Sequence, residues 1–395
     1  MTSLALSAAE ARRFLVNYHF HPQTVAAVFD HLGSVQYDPL NPVGQNHDLV
    51  LQSRVPDYQV GDWTRYAYEQ RRAYDAWDKQ ACLVPMADWP LRALGRRHYR
   101  TWHDRDVLRE HPAAVADTLA ELDRRGPLSS LDFSDKASMS DGHSWLGPTR
   151  IKRILRALSA EGILVTHHRQ GARHYYDRPE RVIPPQYFQS GPLTDLEAYH
   201  RWIVSRRSQS AGILRPGADQ SVWSSCGDKL SRQKAIAELV EGGELIEARI
   251  GEKRNVCYLP AAAQSFLQLE EAAPKVRFLA PLDNLLWDRR LVADVFGFDY
   301  VWEVYKPESA RRWGYYVIPV MYSDRFVARF ESRLQDGDWV ISGWWWEKDV
   351  QRGPGLLDAL AAAGREFRQY LGAKRIAVPP HLPRDAAGAL RASRS

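Results

Sequence analysis

The chain has 395 residues, 45% of them hydrophobic and 26% charged, enough for two or three domains with their own cores and not the composition of a disordered chain. A formal charge of +5 and a pI near 9.0 favour an anionic partner without demanding one. Cys82, Cys226 and Cys257 are scattered without a CxxC pair, which argues against a disulfide framework or structural zinc, while Glu10, Arg12 and Arg13 break the opening too early for a signal peptide and no apolar run reaches bilayer length. A cytoplasmic protein without a membrane segment is expected.

Residues 5 to 32 carry apolar positions at helical spacing and read as two helices. "GSVQYDPLNPV" follows, a short strand stopped by Pro39 and Pro42. In an extended strand Gln36 and Asp38 share one face while Tyr37 points to the other. A carboxylate beside an amide can hold a water, Asp38 taking its proton or facing developing positive charge and Gln36 fixing its orientation. The bland alternative is local: aspartate before proline commonly caps a turn.

Residues 112 to 178 read as helix, Gly-Pro turn, short helix, the helix "GPTRIKRILRALSAEG" and a hairpin through "ILVTHH" and "RHYYD", the order of a winged helix. Between 146 and 178 seven Lys or Arg stand against Glu161 and Asp177, with histidines and tyrosines interleaved. A solvated basic helix is the plain reading; the adjoining basic hairpin favours a surface for DNA backbone through Arg150, Lys152, Arg153, Arg156, His168, Arg169 and Arg173. The same syllables recur at 229 to 259, after the helix "TDLEAYHRWIVSRRSQS". Beyond 275, period-2 strands with short polar turns predict an antiparallel sheet or small barrel, then a helix at 354 to 371 and a strand at "RIAVPP". The tail from 383 is expected to fray.

Trp344, Trp345 and Trp346 could stack on bases, but three consecutive residues of one strand cannot all face one way, so at least one belongs to a core. His47, Asp48, His98, His103, His111, Asp104 and Asp106 lack the spacing of a two-histidine metal site, and no metal or cofactor is expected. No Gly-rich phosphate loop, GxSxG elbow or Cys-His signature appears.

"VQYDPLNPV" with "HDLVLQSRV", "WDKQACLVP" at 77 to 85, "APLDNLLWDRR" at 280 to 290 and "GYYVIPVMYSDRFVAR" at 314 to 329 resemble, in order and over nearly the whole chain, the AlkZ/YcaQ winged-helix DNA glycosylases. The resemblance implies an α+β chain of three tandem winged-helix units around a concave DNA channel with a β-rich C-terminal part. The corresponding boundaries are 1–111, 112–190, 191–274 and 275–382, with 383–395 as a flexible tail. It implies Gln36 and Asp38 as the catalytic pair, in the aspartate form of the motif. Tyr37, Asn46, His47, Arg54, Lys79 and Arg289 join the wing residues as expected DNA contacts. It further implies a monofunctional N-glycosyl hydrolase, a monomer acting on double-stranded DNA near the nucleoid. Its substrates would be cationic N-alkylated purines, chiefly N7-alkylguanine, with nitrogen-mustard crosslinks in range.

The chain departs from the pattern at Lys79 and Gln80, where some relatives carry His-Glu, and a lysine near an abasic product leaves room for lyase chemistry. The competing expectations are a non-catalytic winged-helix regulator and a damage sensor that binds lesions without cutting.

Overall fold

The computed structural model describes residues 3–98, 105–134, 149–251, 255–270 and 273–392. His103, Asp104, the start of the basic segment before residue 149, the turn at 252–254 and the last three residues of the tail lie outside them.

The chain opens with β1 (Leu4–Leu6) and α1 (Ala8–Phe20), whose start is fixed by a capping box: the Ser7 hydroxyl accepts from the Glu10 N–H, and the Glu10 carboxylate accepts from the Ser7 N–H. α2 (Val25–Leu32) is capped by Thr24 and ends at Gly33, whose φ of 65° reverses the chain into β2 (Val35–Gln36). After α3 (Asn46–Gln52) come β3 (Ala73–Trp77) and β4 (Ala81–Pro85), an antiparallel hairpin whose second strand pairs with β2, so the sheet order is β2-β4-β3.

A second set of helices, Arg105–Glu110, Pro112–Arg125 and Arg150–Ala160, leads to the hairpin β5 (Val165–Gln170) and β6 (Arg173–Asp177). Ile151, Ile154, Leu155 and Leu158 turn one face of the basic helix inward onto Leu122 and Val107. Val107 packs the helix Arg105–Glu110 into this second core. Helices Leu196–Ala211 and Lys229–Glu241 then precede β7 (Leu245–Ile250) and β8 (Asn255–Pro260). β1 adds to β7 in parallel, so the first residues of the chain complete this later sheet.

β9 (Val276–Phe278), β10 (Val317–Tyr322), β11 (Arg325–Gln335), β12 (Asp338–Trp346) and β13 (Ile376–Ala377) form one sheet in the order β13-β12-β11-β10-β9. Irregularities in register at Val320/Met321 and Glu331/Ser332 curl it. The sheet shares its core with the N-terminal helices: Phe14, Leu15, Val28 and Phe29 belong to one apolar cluster with Phe278, Ile318, Phe330 and Trp339. The frayed tail is corrected, since Arg384–Ala392 is a helix that buries Ala386, Ala387, Ala389 and Leu390. Trp344 is buried and stacked on Phe330, the core member of its triplet.

Candidate active site

The strand that carries the motif is shorter than expected. β2 ends at Gln36, and the Tyr37 N–H still donates to the Ala81 carbonyl at 2.9 Å, but Asp38 has left the sheet. Its Oδ1 accepts from the Leu40 N–H at 2.9 Å, so the turn-capping role and the candidate catalytic role fall on one carboxylate. The common strand face expected for Gln36 and Asp38 is replaced by a strand end followed by a capped turn.

That turn is fixed on all sides. Asn41 Oδ1 accepts from the Gly44 N–H, and the Pro42 carbonyl accepts from the Leu334 N–H of β11 at 2.7 Å. Gly44 has a φ of 107°, and a Cβ there would collide with the Tyr370 hydroxyl. The two prolines therefore sit in a loop held against the C-terminal sheet, and Asp38 has a defined place at its start.

Gln36 is 5% exposed, and its Oε1 accepts from Lys79 Nζ at 3.3 Å. Lys79 lies at the tip of the β3–β4 hairpin, 5.5 Å from the centre of the Trp287 ring. Burial lowers its ammonium to about 8, with Arg207 and Arg289 adding to the effect against Cys82 and Asp78. The tip is pinned through Asp78, whose Oδ1 accepts from Arg92 at 3.1 Å and Arg207 at 3.0 Å. Burial alone would raise the Asp78 carboxyl; the two guanidiniums outweigh it and hold it well below the usual range.

Asp38 is half-buried, and its carboxyl is raised by burial, partly offset by the Leu40 N–H. The buried Tyr316 phenol feels its charge: burial first, then Asp38, pushes that hydroxyl well above its ordinary value. A carboxylate held in a partly desolvated setting is a stronger proton acceptor than one in water and a stronger counter-charge for a developing cation.

The segments at 46 to 54 and 280 to 290 form the frame behind this pair. Asn46 donates to the Gln36 carbonyl at 2.8 Å and accepts from the Leu282 N–H at 2.9 Å. Asn284 donates to the carbonyls of Ser34 and Ser210. Arg54 and Asp283 form a fully buried bidentate pair at 2.7 and 2.9 Å. Asn46 and Asn284 hold β2 and the residue before it by the backbone, so a one-residue slip of the motif would break buried hydrogen bonds.

This burial bears on several expected DNA contacts, because a phosphate contact needs a cation or donor that reaches water. Arg54 is spent on Asp283, and Asn46 on the Gln36 backbone. His47 is wholly buried between Tyr37 and Trp63 and is pushed down to about 3 by burial, hence neutral. The Arg169 side chain ion-pairs with Asp75 and lies 3.5 Å over the Tyr37 ring, which buries Tyr37 from both sides. Lys79 is 7% exposed and faces Gln36, which places it at the motif and not along the phosphates. Lys152, Arg156 and Arg173 are exposed, Arg150, Arg153, His168 and Arg289 half-buried. Sequence reasoning passed over Trp287, Arg207 and Tyr316 as site residues; only the quoted runs that contain Trp287 and Tyr316 hinted at them.

The comparisons place this helix–hairpin scaffold among the DNA glycosylases. The sequence model of the family described as DNA glycosylase AlkZ-like matches residues 29–370, so the chain belongs to the AlkZ-like DNA glycosylase family. Its fold is similar to that of Streptomyces sahachiroi DNA glycosylase AlkZ, with a TM-score of 0.64, 14% identity, and coverage of 96% of this chain and 100% of that one. Among the described residues no helix is long and apolar enough to cross a membrane.

Proposed function

We propose that the protein hydrolyses the N-glycosidic bond of cationic N-alkylated purines in double-stranded DNA, chiefly N7-alkylguanine. The observation that carries this reading is Asp38, a half-buried carboxylate with a raised proton affinity, two residues from an amide held by Lys79. N7 alkylation gives guanine a positive charge, so the base departs neutral and needs no strong general acid. The task left is to stabilise positive charge on the sugar and to supply water. Asp38 provides the counter-charge and accepts the water's proton, and Gln36 orients that water.

The three helix–hairpin sets are read as tandem winged helices lining an open channel, with the basic helix Arg150–Ala160 and its wing along the phosphates. An open channel suits a guanine tied to the opposite strand, which cannot swing into a closed pocket, so nitrogen-mustard crosslinks belong in the range. On this reading the protein acts as a monomer on nucleoid DNA in the cytoplasm.

The test is base release from duplexes carrying N7-methylguanine or a nitrogen-mustard crosslink, with Gln36→Ala and Asp38→Asn beside the wild type. Asparagine can still accept from the Leu40 N–H, so Asp38→Asn keeps the turn and removes the charge. Release by the wild type, lost in Asp38→Asn with duplex binding retained, is expected. If neither substrate is cut, a protein that only binds DNA is the better account.

A further inference from the structure

The buried amine beside Gln36 does no chemistry in the hydrolysis above, where it only holds the amide. Lys79 Nζ donates to Gln36 Oε1 at 3.3 Å, and a glutamine that orients water at the anomeric carbon places that amine one side chain from the same atom. The Lys79 nitrogen lies 5.5 Å from the centre of the Trp287 ring, and the hairpin tip is anchored through Asp78 to Arg92 and Arg207, so the lysine is held at the site by three elements. From this geometry we infer that Lys79 gives the protein a second activity, cleavage of the strand at the abasic product through a Schiff base. The assignment rests on Gln36 and Asp38 being the excision site, and it sets aside the monofunctional expectation.

The chemistry balances with the groups present. The abasic sugar opens to a C1′ aldehyde. The Nζ lone pair forms a bond to C1′, the carbonyl oxygen leaves as water with a proton from solvent, and a protonated imine results. Asp38 takes a C2′ proton, the released pair forms the C2′–C3′ double bond, and the C3′–O bond breaks to leave a 5′-phosphate on the downstream strand. Water then hydrolyses the imine, freeing Lys79 and an unsaturated aldehyde on the upstream strand.

Imine formation needs a neutral amine, and desolvated lysines near other cations supply one at mild pH. Burial, with Arg207 and Arg289 nearby, brings Lys79 to about 8, whereas Cys82 and Asp78 pull the other way. A surface lysine would be almost wholly protonated at the same pH.

The experiment uses the full chain and a duplex with a preformed abasic site, which bypasses base excision. Sodium borohydride reduces the imine to a stable secondary amine, and peptide mapping locates it. The expected result is a trapped protein–DNA adduct on Lys79, strand cutting that rises as pH passes about 8, and at least about a tenfold loss of trapping in Lys79→Arg. Absence of an adduct, an adduct on other lysines, or equal trapping by Lys79→Arg overturns the inference. Should Lys79→Arg fold or bind poorly, the mapping on wild type decides alone. Base release from N7-methylguanine DNA without trapping would sink the lyase and spare the glycosylase; trapping without base release would do the reverse.

Discussion

The hairpin β3–β4 and the wing β5–β6 are both short antiparallel ribbons with charged tips or strands, yet they use charge in opposite ways. In β3–β4 the charges turn inward: Asp78 is shared by Arg92 and Arg207, and Lys79 lies against Gln36 and Trp287. In the wing, Arg173 faces water, while Arg169 reaches back to Asp75 of the neighbouring hairpin. On the proposed function, the first ribbon uses its charges for precision at the motif and the second for long-range attraction to phosphate. A charged residue in a ribbon therefore says nothing of its role until its partner is known.

The largest effect should fall on the motif. Asp38→Asn is expected to slow base release by about 10²- to 10⁴-fold at unchanged duplex affinity, whereas Asp38→Ala should lose the turn cap as well and weaken folding. A single-turnover rate beside a binding curve separates the two. Because burial raises the Asp38 carboxyl, activity should also fall off at a higher pH than for an exposed aspartate, and Asp38→Asn should lack that limb.

Next comes the frame. Arg54→Ala strands the Asp283 carboxylate in the core and should cost about 3–5 kcal/mol in denaturant unfolding. An Arg54 that contacted DNA would instead leave stability unchanged and lower affinity, so one unfolding curve discriminates.

Lys79 follows. Its folded value near 8 lies below its ordinary 10.5, so between those limits the unfolded chain binds more protons and stability rises with pH. The full swing is of order 3 kcal/mol. Lys79→Met should flatten this part of the stability profile; an unchanged slope would place the amine in water.

The sequence carried the elements with clear local signals: the basic helix with Ile151, Ile154, Leu155 and Leu158 inward, and the strands at 317 to 346, whose apolar and aromatic runs between short polar turns mark them without a structure. It did not carry the partners. Arg54 and Asp283 lie 229 positions apart, and no local pattern announces that they form one buried pair. Asp38 was misplaced for a related reason. Period-2 reasoning assumes the strand continues, and Pro39 ends it at the residue that matters. The C-terminal helix escaped because its Arg- and Ala-rich composition matches a frayed end, while its burial depends on the helix Pro354–Tyr370 arriving beside it. Local propensity was legible; long-range pairing of polar groups was not.

The smallest effects should come from the exposed cations, and they test the outward half of the comparison. Lys152 sits on the water-facing side of the basic helix and Arg173 at the start of β6, neither tied into the buried frame of the motif. If each neutralises one phosphate, its replacement by alanine weakens binding to all duplexes alike, damaged or not. The logarithmic slope of affinity against salt should become shallower by about 0.9 per side chain. The single-turnover rate at saturating protein should stay at the wild-type value, since neither residue touches the motif. A fall in that rate without a change in salt slope would mean that the wing positions the lesion, and the division between an inward precise ribbon and an outward attractive one would then fail at β5–β6.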